Sequence, residues 1–128
     1  MTFHLHKIAV DCRDWHPLVE FWTAASDFAE IPNDPNNPDD EIGGLMDPST
    51  GVQLLFIPVP EPKTIKNRIH FDVQPVDGTR DQEVERLQSL GATIVDDRRN
   101  ADGTGWVVMG DPEGNEFCVE RSASERVS

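Results

Sequence analysis

Asp47-Pro48-Ser49-Thr50-Gly51-Val52-Gln53-Leu54-Leu55-Phe56 is echoed later in the chain by Asp111-Pro112-Glu113-Gly114-Asn115-Glu116-Phe117-Cys118-Val119. In each stretch an Asp-Pro pair followed by glycine reads as a tight turn, because Asp bonds to backbone two residues on and Gly accepts positive φ. The apolar run after each turn reads as a strand. The two aspartates stand 64 positions apart in a chain of 128 residues. Lys7 precedes Asp47 by 40 positions and His70 precedes Asp111 by 41. A near-constant offset at half the chain length is the mark of an internal repeat.

Working outward, the same order of elements precedes both turns. Leu5 to Cys12 is a strand, and Asp14 caps a helix expected from about Trp15 to Ala29, with Leu18, Phe21, Trp22 and Ala25 at helical spacing. In the second half, Asn67 to Gln74 is a strand. Thr79-Arg80-Asp81-Gln82 is a capping-box pattern opening a helix with Val84, Leu87 and Leu90, which Gly91 ends. Three further strands are expected at Ala92–Asp96, Gly105–Gly110 and Asn115–Arg121, with a frayed tail from Ser122. Val52–Ile57 is the last strand of the first half. Pro58-Val59-Pro60-Glu61-Pro62 can join neither a helix nor a central strand and reads as a linker. The expected class is α+β: one domain over residues 1–128, made of two tandem βαβββ modules. Module one covers about 4–58, the linker 58–66 and module two about 67–121.

Glu30 to Thr50 interrupts the regular pattern. It holds Pro32, Pro35, Pro38 and Pro48, with short strands expected near Ile31 and at Ile42–Met46. Its six acids, Glu30, Asp34, Asp39, Asp40, Glu41 and Asp47, meet no Lys or Arg. Two readings stand for it, a solvated loop and an acidic rim over a binding site.

The whole chain carries 24 Asp and Glu against 11 Lys and Arg, a formal charge of −13. Phosphate backbones are gripped by clustered cations, so nucleic acid is excluded as a partner and an anionic membrane surface is disfavoured. No run of about 18 apolar residues is present to span a bilayer. Met1-Thr2-Phe3-His4-Leu5-His6-Lys7 lacks the pattern of a secretory leader. With Cys12 and Cys118 read as reduced thiols, the expectation is a cytoplasmic protein. There is no P-loop, dinucleotide fingerprint or Gly-x-Ser-x-Gly elbow.

Several motifs resemble a known family in order and spacing. Asp11-Cys12-Arg13-Asp14 with Phe21-Trp22 is similar to the opening of glyoxalase-like domains. Pro60-Glu61-Pro62-Lys63 with Asn67-Arg68-Ile69-His70-Phe71-Asp72 is similar to their middle. Leu90-Gly91-Ala92-Thr93 and the second Asp-Pro turn are similar to their end. The resemblance covers roughly residues 4–121. It is to the vicinal oxygen chelate superfamily, which includes glyoxalase I, bleomycin-resistance proteins, extradiol dioxygenases and fosfomycin-resistance enzymes. It implies curved mixed sheets around a shared cavity, with the helices packed outside.

Alternation along strands sorts residues between the helix-packed face and the cavity face. Ile8, Val10 and Cys12 take the helix face of the first strand, leaving Lys7, Ala9 and Asp11 for the cavity. Gln53, Leu55 and Ile57 face in from the fourth strand, His70, Asp72 and Gln74 from the fifth, and Glu116, Cys118 and Glu120 from the last. Metal-dependent members of the superfamily carry His or Glu ligands at four positions, which here hold Lys7, Leu55, His70 and Cys118. Only His70 matches. Lys7 is a cation, Leu55 has no lone pair, and His plus Cys alone is too few donors for zinc. The resemblance therefore implies a protein without the usual metal centre. A one-residue slip of the first strand is the alternative. It would bring His6 inward, giving one divalent metal on His6, His70 and Glu116 or Glu120 at the cost of burying Lys7.

His70 and Asp72 on one strand face are the expected catalytic pair, since a carboxylate beside an imidazole orients it and holds its charge. Lys7, Asp11, Leu55, Glu116, Cys118 and Trp106 are the expected ligand-binding residues, Trp106 by stacking. Lys63, Lys66 and Arg68 form a basic cluster that either neutralises the acidic excursion or grips an anionic group. The function expected is binding of a small molecule, cationic or aromatic, in the cavity between the modules. The protein either sequesters it or moves a proton through His70. The alternative is a metal-dependent lyase, isomerase or dioxygenase with an atypical ligand set. A homodimer is expected, because curved sheets leave edges to cover.

Overall fold

The structure, a computed structural model, describes residues 1–126 and divides into two compact units, Met1–Lys63 and Thr64–Ser128. The division falls inside the proline-rich stretch 58–66.

In the first unit the order is β1 (Lys7–Cys12), α1 (Trp15–Ala25), β2 (Gly43–Met46) and β3 (Gln53–Pro58). The sheet order is β1-β3-β2. β1 runs parallel to β3, with Lys7 opposite Gln53 and Ala9 opposite Leu55, and β2 is antiparallel to β3. Asp14 caps α1 by accepting the His16 N–H. Trp15, Leu18, Phe21 and Trp22 are the helix's buried residues. α1 lies on β2 and β3, whose Leu45, Leu54 and Phe56 are fully buried. Each such side chain contributes roughly 1.5–3 kcal/mol of transfer free energy.

The second unit has β4 (Phe71–Val73), α2 (Arg80–Ser89), β5 (Thr93–Arg99), β6 (Gly105–Gly110) and β7 (Glu116–Val119). Its sheet order is β4-β7-β6-β5, with β4 parallel to β7 and the other pairs antiparallel. A bulge between Ile94 and Asp96 shifts the β5–β6 register. Val84 and Leu87 of α2 join Val107, Met109, Phe117 and Val119 in a core that excludes solvent. In both units the first strand pairs in parallel with the last. The class is thus α+β, with two small curved sheets and a helix to each.

The repeat holds at the level of single hydrogen bonds. Gly51 N–H donates to Asp47 O and Gly114 N–H to Asp111 O, at 2.7 and 2.8 Å. Asp47 Oδ1 accepts from Ser49 N–H and Asp111 Oδ1 from Glu113 N–H, at 2.9 Å each. Both glycines have φ near +80°, where a Cβ would be strained.

Beyond shifts of one or two residues at strand ends, the elements differ from expectation in five places. The first helix stops at Ala25 rather than Ala29. Ser26 adopts extended backbone and its Oγ–H donates to Trp22 O at 2.6 Å, which frees Ala29 to bridge Met46. The strand near Ile31 is only a bridge to Asp34, because Pro32 and Pro35 bracket a turn with Asn33 at φ 64°. The strand expected over Asn67–Gln74 shrinks to Phe71–Val73, since Asn67 N–H turns aside to the Glu116 carboxylate. The Ala92–Asp96 strand extends instead to Arg99. There Asp96–Arg98 and Asp97–Arg99 pairs, each 2.7 Å, satisfy side chains on a solvated hairpin. The expected frayed tail is docked as far as Arg126. Ser122 is buried, and Glu125 Oε2 accepts both the Ser122 and Arg80 N–H groups, closing the N-terminus of α2. The expectation for Val127 and Ser128 lies outside the described residues.

Candidate functional site

The second unit gathers three of the expected site residues. Asp72 on β4 lies opposite Cys118 on β7 in the parallel register, and His70 sits just before β4. His70 Nδ1 lies 3.2 Å from Asp72 Oδ1 and 3.8 Å from Cys118 Sγ. One donor atom from each of the three falls within 4.8 Å of the others. His70 and Asp72 are exposed while Cys118 is buried. Burial pushes the Cys118 thiol up, and the Asp72 carboxylate beside it adds to the rise. The thiol is thus the protonated partner, a weak nucleophile below a solvent-facing imidazole and carboxylate. This arrangement can orient an imidazole for proton transfer and offer a negative oxygen to a cationic group.

Glu116 departs from the expectation of a carboxylate facing the ligand. It is buried, accepts from Lys66 Nζ at 3.0 Å and takes the Asn67 N–H at 3.0 Å. Its neighbour Phe117 is buried as well, so alternation along β7 does not leave an open face there. Lys66 therefore engages the last strand rather than the acidic excursion. Trp106 on β6 is 46% exposed and lies opposite Arg98 on β5. Asp11 is exposed on β1, next to Ile57 in register.

Lys7 and Leu55 come together in the first unit, where they line a cavity of about 220 Å³. Its other wall is the acidic excursion, through Ile31, Asp34, Asp40 and Ile42. The excursion is pinned over the sheet. Asn36 Nδ2 donates to Gly44 O at 2.8 Å and Gly44 N–H donates back to Asn36 Oδ1 at 2.9 Å, a strand-like pair made by a side chain. Trp15 Nε1–H donates to Asp40 O at 2.9 Å, and the His16 ring sits 2.9 Å from Pro38 O. Gly44 keeps this wall close, for a Cβ there would come within 3.0 Å of Ile31 and 3.1 Å of Leu55 and press on both side-chain ends. Sequence reasoning did not find Asn36, Gly44 or Ile42 as cavity residues. The acid count and proline spacing signalled an excursion but not what it folds against.

The family's metal centre does not fit the first unit's two positions. Leu55 offers no donor atom, and Lys7 places an ammonium where a ligand would stand. On β1, Lys7 is exposed, Ile8 and Val10 are half-buried and Cys12 is buried.

A model of the glyoxalase-like domain matches residues 7–120. No curated protein matches the chain in sequence. Solved structures match over nearly the whole length. FosX, a fosfomycin resistance protein from Listeria monocytogenes, solved as a mutant with Mn(II) and 1S,2S-dihydroxypropylphosphonic acid, is similar at 15% identity. Its TM-score is 0.67 over 98% of this chain and 94% of that one. A glyoxalase/bleomycin resistance protein/dioxygenase family enzyme from Burkholderia phytofirmans is 22% identical, with TM-score 0.63 over 88% of this chain and 94% of that one. The antibiotic-binding protein TnmS3 from a Streptomyces species is 17% identical, with TM-score 0.63 over 93% and 95%. At these identities the likeness is one of fold. With the family model spanning both units, the chain belongs to the glyoxalase-like domain family.

Proposed function

We propose that this protein binds a small molecule through the polar face built by His70 and Asp72, without the hard-metal centre common in its superfamily. The observation that carries the reading is the pair itself, an exposed imidazole 3.2 Å from an exposed carboxylate on one side of β4. The structures similar to this chain include an antibiotic-binding protein and a fosfomycin resistance protein, and the likeness supports a small-molecule reading without choosing between sequestration and catalysis. If the protein is an enzyme, His70 is the group that accepts or gives the proton and Asp72 orients it, in a lyase or isomerase reaction. A ligand with a cationic or amine-bearing aromatic body suits a chain of charge −13 and the exposed Asp72 carboxylate beside His70. The two cysteines are buried thiols outside any disulfide, which fits a reducing compartment, and the proposed location is the cytoplasm.

A thermal-shift screen of matched cationic, neutral and anionic aromatics, run with a chelator present, tests this reading. The cationic set is expected to raise the melting temperature, less so at high salt and less in Asp72→Asn. Stabilisation by the anionic set alone would make Lys63 and Arg68 the recognition element and overturn the proposal.

A further inference from the structure

We infer that the first unit holds a binding site for a small zwitterion, an α-amino acid with an apolar side chain, in the cavity under the acidic excursion. The site is built entirely within that unit. It goes beyond the small-molecule reading of the His70 face and does not rest on it.

The floor of the cavity comes from the sheet. Lys7 and Gln53 are register partners on the parallel strands β1 and β3, so their side chains leave the sheet on one face. Leu55, two residues after Gln53, leaves on the same face and stands opposite Gly44 of β2. Facing this floor, the excursion supplies Ile31, Asp34 and Ile42. That roof is held in advance. The Asn36 amide pairs with the Gly44 backbone, and the Asp40 and Pro38 carbonyls are tied to Trp15 and His16. A preformed roof spares a ligand the cost of ordering a loop.

Charge selects the ligand. Lys7 and Asp34 carry opposite charges on two walls of one cavity, yet they do not pair with each other. Among the described residues, no side-chain hydrogen bond or ion pair engages the Lys7 ammonium, the Asp34 carboxylate or the Gln53 amide. Asp40 differs, since its Oδ2 accepts the Asn37 N–H at 2.9 Å. An amine alone would meet the Lys7 ammonium, and an acid alone would meet Asp34 and Asp40. A molecule with both charges answers both walls. Its carboxylate accepts from Lys7 and the Gln53 amide while its ammonium donates to Asp34. A peptide end carries only one of the two charges. Ile31, Ile42 and Leu55 form an apolar flank that suits an apolar side chain. At about 220 Å³ the cavity is smaller than the roughly 300–1,000 Å³ pockets of drug-sized ligands, and it suits a molecule of amino-acid size.

Calorimetric titration of the full chain with L-leucine provides the test, against isoamylamine, which lacks the carboxylate, and isocaproate, which lacks the ammonium. Leucine is expected to saturate one site per chain, and each analogue to bind at least about tenfold more weakly, the loss typical of a hydrogen bond to a charged group. Each buried methylene is worth about fourfold in affinity, so glycine should also bind at least about tenfold more weakly than leucine. Lys7→Met and Asp34→Asn are each expected to weaken leucine by about tenfold or more, while Lys7→Arg and Asp34→Glu retain part of the affinity. Lys7 and Asp34 are exposed, so these variants should keep the fold, and circular dichroism checks that they do. No saturable heat up to about 10 mM leucine would overturn the inference. So would an analogue that binds as tightly as leucine, or affinity unchanged in Lys7→Met or in Asp34→Asn. Leucine binding that is lost in Asp72→Asn would place the amino acid on the His70 face and overturn it too. The screen of aromatics reads Asp72 rather than Lys7 or Asp34, so the two proposals fail separately.

Discussion

Single side chains decide what each unit can do. At Lys7 and Leu55 the first unit offers a cation and a methyl-capped chain, and both are legible in the sequence as a departure from a ligand set. His70 and Asp72 were legible too, because two residues of one strand share a face. Their closeness to the Cys118 sulfur was not, since it depends on the β4–β7 register, which no local pattern encodes. Glu116 shows the converse. Alternation alone assigned it to a ligand face, but a buried carboxylate needs partners, and Lys66 and the Asn67 N–H supply them.

His16 makes a residue-scale device of another kind. When both ring nitrogens carry protons, Nδ1–H donates to Asp14 at 2.6 Å and Nε2–H to Pro38 O at 2.9 Å, tying the excursion to the start of α1. The Asp14 carboxylate, first, and the Pro38 carbonyl hold the imidazole's proton, so its titration lies above the ordinary histidine value. A folded-state value raised above the unfolded one means a contribution complete below about pH 6.5 and lost as pH rises through the folded value. Amide exchange at residues 36–42 is therefore expected to speed up, beyond the intrinsic rate increase, between a pH below the ordinary histidine value and one above the raised folded-state value. In His16→Ala the excursion should already exchange faster at the lower pH. Equal protection at both pH values in the wild type would show that the clasp does not hold the excursion.

At the scale of elements, the helices were read from the chemistry of their ends. The capping box of α2 is present in both directions: Thr79 accepts the Gln82 N–H and Gln82 accepts the Thr79 N–H. Thr79→Ala is expected to cost about 1 kcal/mol. For a domain of this size that lowers the melting temperature by about 4 °C, readable by calorimetry. No change would mean that Glu125, which accepts the Arg80 N–H, already suffices as a cap. The end of α1 was missed because Phe28 and Ala29 keep the helical period, while Ser26 competes for the Trp22 carbonyl. The extra length of β5 was missed because Asp96, Asp97, Arg98 and Arg99 read as a loop. In the structure Arg99 pulls Asp97 down to about 2, and the charges pair along the strand instead of breaking it. Gly105 completes that hairpin at φ 93°, where a Cβ would run into the Arg98 carbonyl. Buried Arg80 braces it by donating to Gly103, Thr104 and Gly105 oxygens. Nothing in the local sequence marks Arg80 as buried, since the backbone acceptors of its guanidinium lie more than twenty residues away.

For the molecule as a whole, the repeat was the most legible feature, because two Asp-Pro-Gly turns at half-chain spacing constrain topology more than any propensity does. The acidic excursion was visible as composition and became a cavity wall only through long-range contacts of Asn36, Trp15 and His16. Phe3, Ile65, Ile69 and Val76 are exposed apolar side chains, and four sheet edges end the two sheets. A homodimer is the proposed state in solution. Light scattering at micromolar concentration is expected to give about twice the 14.3 kDa chain mass, and a value at the chain mass would contradict it.

The central claim is that His70 and Asp72 meet the ligand. Nuclear magnetic resonance of the His70 imidazole, with chelator present, during titration with the best-stabilising cationic aromatic tests it most directly. The account predicts that the His70 ring signals shift with saturation, while those of His4 and His16 do not. In Asp72→Asn the response should need more ligand. A ligand that stabilises the protein yet leaves the His70 signals unmoved would contradict the account and place binding elsewhere on the chain.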